Sequence, residues 1–244
     1  LVRTGYIDNR TINFSALKDD FADDPNHDYL LAMRQTTGRV SAGAPGSYVA
    51  IDAVRLGGKK LGLRYADFGS WATNVTYTTD DGTGNGLPSS DGSNTPFYMG
   101  DADKKANFSA SSGTISFTGK TLAAYNTSLL MEGSANLSIN TASLANSDFV
   151  LSFPDFYDFH IPVGVGADGK ITGNMGGATH TANTASPRDT IHGVYSSGYV
   201  DGQFYGDAPG NPTEAAGTYL MHVKVYDSIG QEMWRGLNGS FGLK

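Results

Sequence analysis

The chain has 244 residues, enough for one large β domain or two small ones, and its 32 Gly among many Ser, Thr and Asn favour turn-rich β structure over helix. Zero Cys exclude disulfides, thiolate metal sites and a Cys nucleophile together, while 39% hydrophobic residues with 13 Tyr and 12 Phe exclude wholesale disorder. The formal net charge of -7 argues against nucleic acid or an anionic membrane as a partner, and no apolar run reaches the length of a membrane span.

The charge is uneven. Up to Lys105, 11 Lys and Arg stand against 13 Asp and Glu; the remainder holds 6 against 11. A carboxylate-bearing ligand therefore finds its partners in the N-terminal part. No signal-peptide core lies at Leu1, which fits a chain whose leader has been removed.

In chain order, Leu1 to Phe14 alternates enough for one or two short strands around an Asp8-Asn9 turn. The stretch from Asp19 to His27 then reads as a helix start, with Asp24 as cap, Pro25 at the first helical position and acids complementing the dipole. Tyr29 to Gln35 continue that helix and Gly38 ends it. On such a helix His27, Leu30, Leu31 and Arg34 share one face, since offsets of three, four and seven residues align. The same pattern also serves a helix packed by its two leucines, with His27 solvated.

Tyr48 to Val54 and Gly62 to Tyr65 are strand-like. From Thr78 to Asp103 no periodicity survives, and the stretch reads as a long loop with an apolar island, Pro96-Phe97-Tyr98-Met99, at its tip. This is either a ligand clamp, cleaved by protease without ligand and protected with it, or a linker. After Lys104-Lys105, Phe108 to Lys120, Ser134 to Asn140 and Phe149 to Phe153 are strands with short turns, and Ile171 to Ala185 is a polar loop carrying His180. Ile191 to Lys244 alternates β-branched and aromatic runs with Gly, Pro and Asn clusters, a closing antiparallel meander. Gly202 beside Phe204 allows a large ring to lie over a neighbouring strand.

Two sets of residues carry a resemblance. Leu63-Arg64-Tyr65-Ala66-Asp67-Phe68-Gly69-Ser70-Trp71 resembles the L-x-Y-x-x-F-G-x-W stretch in the handle region of transferrin-binding protein B and its relatives. Val200 to Gly206, then Glu214 to Tyr219, then Gly239 to Gly242 resemble the closing strands of that family's barrel, although Asp207 and Ala208 stand where a Pro-Asn pair is common. The resemblance implies a mainly β fold, with an N-terminal α+β clamp (handle) domain over residues 1–103 and a C-terminal antiparallel eight-stranded β-barrel over residues 104–244.

Catalysis finds no support: there is no G-x-S-x-G, H-E-x-x-H, phosphate-loop or Cys nucleophile signature, and Asp155 with Asp158 read as a polar rim beside aromatics. Gly82 to Gly86 is turn material, and histidines 27, 160, 180, 192 and 222 are too dispersed for a local metal motif. Binding is the expected function, and no reaction is expected. Within the family the size is similar to that of hemophilins, secreted heme-binding proteins that pass an outer-membrane translocator on export and deliver heme to an outer-membrane receptor. The alternative is a binder of a host protein, of the transferrin or complement-regulator type, without a cofactor.

A heme site needs an axial ligand, flat apolar walls and cations for the propionates. The N-terminal part offers His27 as iron ligand, with Tyr98, Met99 or a barrel-loop His180 as alternatives; Leu30, Leu31 and Phe97 as walls; and Arg34 and Arg39 as cations. The partners expected are thus heme, a receptor and a translocator, with no nucleic acid and no membrane span, for a secreted protein.

Overall fold

The computed structural model describes residues 4–7, 10–13, 22–23, 28–41, 44–79, 88–108, 113–126, 129–185, 187, 189–207, 211–226 and 229–244, with backbone alone at 4–13, 33–52, 73–93 and 129. A hairpin of β1 (Thr4–Ile7) and β2 (Arg10–Asn13) comes first. Five antiparallel strands then form one sheet in the order β3 (Ala22–Asp23), β4 (Leu30–Ser41), β5 (Ala44–Leu56), β6 (Ala66–Thr79) and β7 (Pro88–Gly100). One helical turn, α1 (Gly58–Leu61), joins β5 to β6 and is ended by Gly62 in the left-handed region, with φ 81°.

The remaining strands are β8 (Thr114–Tyr125), β9 (Leu129–Asn140), β10 (Ser147–Ser152), β11 (Tyr157–Val165), β12 (Lys170–Asn174), β13 (Thr179–Ala182), β14 (Gly193–Tyr205), β15 (Glu214–Tyr226) and β16 (Glu232–Leu243). Eight of them close into an antiparallel barrel: the order β10-β9-β8-β16-β15-β14-β12-β11 is completed by pairing of β10 with β11. The short β13 takes the same side of β11 as β12 but farther along, at Tyr157 to His160. Closure leaves no unpaired edge in the ring.

The barrel forms because its strands alternate. In β11, Tyr157, Phe159, Ile161, Val163 and Val165 are buried while the residues between them face out, and β10 follows the same period of two. The inward rings fill the interior: Phe108 meets Phe204 at 4.8 Å between centroids and Phe149 meets Phe241 at 4.6 Å. Each fully buried ring contributes about 1.5–3 kcal/mol relative to exposure. The ring lying over a neighbouring strand is that of Phe241, which rests against Gly217 and Gly202. The lumen is packed, as expected for eight strands.

Four expectations are corrected. Ile171 to Ala185, expected as a loop, carry β12 and β13, paired with β14 and β11; Gly62 to Tyr65, expected as a strand, form the turn between α1 and β6. The predicted helix is strand β4: Leu30 to Ser41 pair in register with β5, and Gly38 sits mid-strand opposite Tyr48. Leu, Ala, Met, Arg and Gln at 30–35 favour helix locally, but pairing along β5 and burial of Tyr29 and Ala32 outweigh propensities of a few tenths of a kcal/mol per residue. The cap at Asp24, with Pro25 and His27, lies outside the described residues. The predicted loop from Thr78 to Asp103 is largely strand β7, paired with β6 from Pro88 to Gly100. Pro96 to Met99 therefore form no loop tip; they lie in the sheet opposite Ser70 to Asp67.

Candidate functional site

The five-stranded sheet has two different faces, and they define the site. One lies on the barrel's outer wall. There Tyr29, Ala66 and Phe68, flanked by Leu61, Leu63, Tyr65 and Tyr98, form a cluster with Leu122 of β8, Tyr205 of β14 and Ala216 of β15. Backbones approach closely because glycine permits it: a Cβ on Gly242 would run into the Phe68 ring, and one on Gly100 into the Tyr205 ring.

Polar contacts lock this joint. The Glu214 carboxylate, 2% exposed, accepts backbone N–H groups of Arg64, Tyr65 and Ala66 at 2.7, 2.6 and 2.6 Å. Burial pushes its carboxyl above the ordinary 4.5, opposed by those N–H donors. Ser240 Oγ donates to the Gly69 carbonyl at 2.7 Å, Tyr29 Oη to the Thr121 carbonyl at 3.1 Å, and Lys244 Nζ to the Gly62 carbonyl at 3.0 Å. Asp28 pairs with Lys120, which holds its carboxyl below the usual range. Asp28 and Tyr29 are thereby held to β8.

The second face points away from the barrel and carries an apolar patch. Register places Leu30, Leu56, Gly69 and Phe97 in one row across β4, β5, β6 and β7, and Ala32, Val54, Trp71 and Thr95 in the next. Val54 and Phe97 are buried together, with Leu56, Trp71 and Met99 packed against them. Trp71 Nε1 is buried and has no hydrogen-bond partner among the described residues. A shielded donor on an apolar wall marks a place where a ligand acceptor would be bound rather than merely tolerated.

The expected site residues divide as follows. Leu30, Phe97 and Met99 come together on this second face, whereas Leu31, one residue from Leu30 in a strand, takes the opposite side. Arg34 and Arg39 continue β4, in register with Asp52 and Ser47; their side chains lie outside the described residues, as does His27. Tyr98 faces the barrel, where its hydroxyl donates to Asp201 Oδ2 at 3.0 Å, and burial with that carboxylate pushes its phenol far up. His180 sits on β13 at the barrel's end, with Nε2 3.1 Å from the Ile191 carbonyl and its ring against Tyr157.

No family model matches the chain, and no curated protein matches it. The site is therefore read from its own residues. Among those described, no three His, Asp or Glu side chains gather as a metal cage, and no helix is long and apolar enough to cross a membrane.

Sequence reasoning missed Val54, Leu56 and Trp71 as one wall, although the period of two in Val54 and Leu56 was a usable signal. It also missed the docking roles of Asp201 and Glu214. An open depression of about 140 Å³ beside Leu130, Glu132, Asp155 and Phe156 on the barrel is well below the few hundred Å³ that a cofactor occupies.

Proposed function

We propose that the protein is a secreted heme-capturing protein without catalytic activity, in which the outward face of the five-stranded sheet, with residues of 1–103 as a clamp, receives the porphyrin and the barrel serves as rigid support. The observation that carries the reading is the apolar wall of Leu30, Leu56, Trp71, Phe97 and Met99, with a buried unpaired N–H at Trp71. Strand β1 of the N-terminal hairpin approaches β7, and the hairpin is assigned as the second wall. Bound heme would supply an iron centre needing axial donors.

The donor set fits in part. Tyr98 spends its hydroxyl on Asp201, and its raised pKa resists formation of the phenolate that ferric iron would need. His180 is engaged at the barrel end. The iron ligand is accordingly assigned to His27, just before the anchored Asp28, with Met99 of the apolar wall as second donor. Arg34, an even number of residues along β4 from Leu30, is assigned to the propionates; Arg39, an odd number away, falls on the other face by register and is not. A receptor in the outer membrane is the proposed recipient of the heme.

Hemin titration with a visible spectrum tests this. The protein is expected to give a sharp Soret band, and His27→Ala to shift the band and weaken binding while far-UV circular dichroism is unchanged. Scattered free-hemin absorption with wild-type protein would refute the heme reading and favour a host-protein binder; an unchanged spectrum in the variant would remove His27 alone.

A further inference from the structure

The outer wall of β14, β15 and β16 has two halves. Asp201, Tyr205, Glu214, Ala216, Ser240 and Gly242 lie under the sheet. The other half continues on the same strands and is bare. Period-two alternation ordinarily gives such solvent-facing positions to polar side chains. Here Tyr195, Tyr199, Tyr226 and Trp234 stand 51, 45, 46 and 46% exposed.

Their arrangement is ordered. Tyr195 lies opposite His222, which lies opposite Gly236; in the adjoining row Gly193 lies opposite Lys224, which lies opposite Trp234. Tyr195 and Trp234 occupy diagonal corners and close over β15, with ring centroids 5.1 Å apart and planes tilted by 57°. The other two corners are Gly193 and Gly236, where an added Cβ would meet nothing within 4 Å. Two clearings thus open beside exposed aromatic faces. His192 extends the surface, its ring 4.7 Å from that of Tyr226.

Polar groups sit among these rings. The Lys224 ammonium is paired with Glu232 and lies 5.8 Å from the centre of the Tyr226 ring, so donor and acceptor stand side by side with no net charge. His222 Nδ1 is shielded from solvent and has no partner among the described residues.

We infer that this half-wall is a binding site for a neutral oligosaccharide. A pyranose has an apolar C–H face and an equatorial fringe of hydroxyls, which is the combination that aromatic faces flanked by a neutralised Lys-Glu pair and an unpaired imidazole nitrogen accommodate. One sugar ring stacks on Tyr195 and Trp234 over the Gly236 clearing, and its hydroxyls bond Lys224, Glu232 and His222. An anionic polymer finds no uncompensated cation at Lys224. The surface lies on the barrel, apart from the outward face of the sheet.

The full chain is titrated calorimetrically and by tryptophan fluorescence with neutral tetrasaccharides of glucose, galactose, mannose and N-acetylglucosamine, and with a sialic-acid oligomer. At least one neutral member is expected to saturate with Kd on the order of 10⁻⁴–10⁻³ M. Trp234→Ala and, independently, Gly236→Leu, which fills the clearing and leaves the rings, are expected to weaken it at least tenfold with unchanged circular dichroism. No saturation by about 10 mM in any neutral member, binding that survives both substitutions, or preference for the anionic oligomer overturns the inference. So does a concentration-dependent dimer abolished by Trp234→Ala, which would assign the surface to a second copy of the chain.

Discussion

Removing the Glu214 carboxylate tests how the sheet is held to the barrel. In Glu214→Ala three successive backbone donors, at Arg64, Tyr65 and Ala66, lose their acceptor. Each such bond contributes about 0.5–1.5 kcal/mol and the buried Ala66 N–H, left without an acceptor, costs more, while water reaches the exposed Arg64 side of the joint and recovers part of the loss. The expected net loss is about 3 kcal/mol, or about 6–12 °C in Tm for a chain of this size. The two tryptophans divide the readout, Trp71 on β6 in the sheet and Trp234 on β16 in the barrel. In urea, the Trp71 transition should move to lower concentration ahead of Trp234. Because burial raises this carboxyl above 4.5, wild-type stabilisation from it is complete below that pH and declines as pH rises through the raised value. The difference between wild type and variant should therefore narrow from pH 4 toward neutrality. A loss under about 1 kcal/mol, or tryptophans that shift together, would refute the account of the joint.

Phe241→Ala, which empties a ring position against Phe149 and Gly217, is expected to destabilise the barrel by about 3–5 kcal/mol in chemical denaturation. Gly242→Leu should cost about 1–3 kcal/mol or more by forcing Phe68 out of place, with the loss seen at Trp71. A fragment of residues 104–244 should unfold cooperatively, since the barrel interior is built from residues 106–243 alone, and should give no Soret band with hemin. Asp28, held low by Lys120, contributes stability above its unfolded value of 3.8 that disappears as pH falls through the lowered pKa; hydrogen exchange at Tyr29 should rise in that window and lose the dependence in Asp28→Asn.

The barrel was legible because its strands are half-buried: the alternation in Phe149 to Phe153 and in Thr218 to Val225 is imposed by one wet and one dry face. Strand β4 was not, since Leu30 to Gln35 carry helical propensity and only pairing with β5 decides their state. Strand β7 was hidden for the opposite reason. Its first half, Ser89 to Asn94, is Ser, Asp, Gly and Asn held by main-chain pairing to β6, which needs no side-chain pattern. In the site, Phe97 and Met99 were legible as apolar residues in polar surroundings, whereas Trp71 joins them only through the register between β6 and β7. The joint was invisible in principle: Glu214 and the N–H groups it binds are about 150 residues apart, and no local window contains both.

Closure of the ring depends on β16, the last of its strands, pairing with β8, the first. The same terminal strand supplies Ser240 and Gly242 to the joint, and Lys244 N–H donates to the Thr118 carbonyl. A chain made from its N-terminus can therefore neither seal the barrel nor dock the sheet until β16 has emerged. The pairings of β16 with β15 and β8 wait on that event, which slows folding and leaves the ring open until β16 has emerged. An unclosed chain can be passed through a narrow conduit, and one cut before Gly236 should lose barrel and joint together.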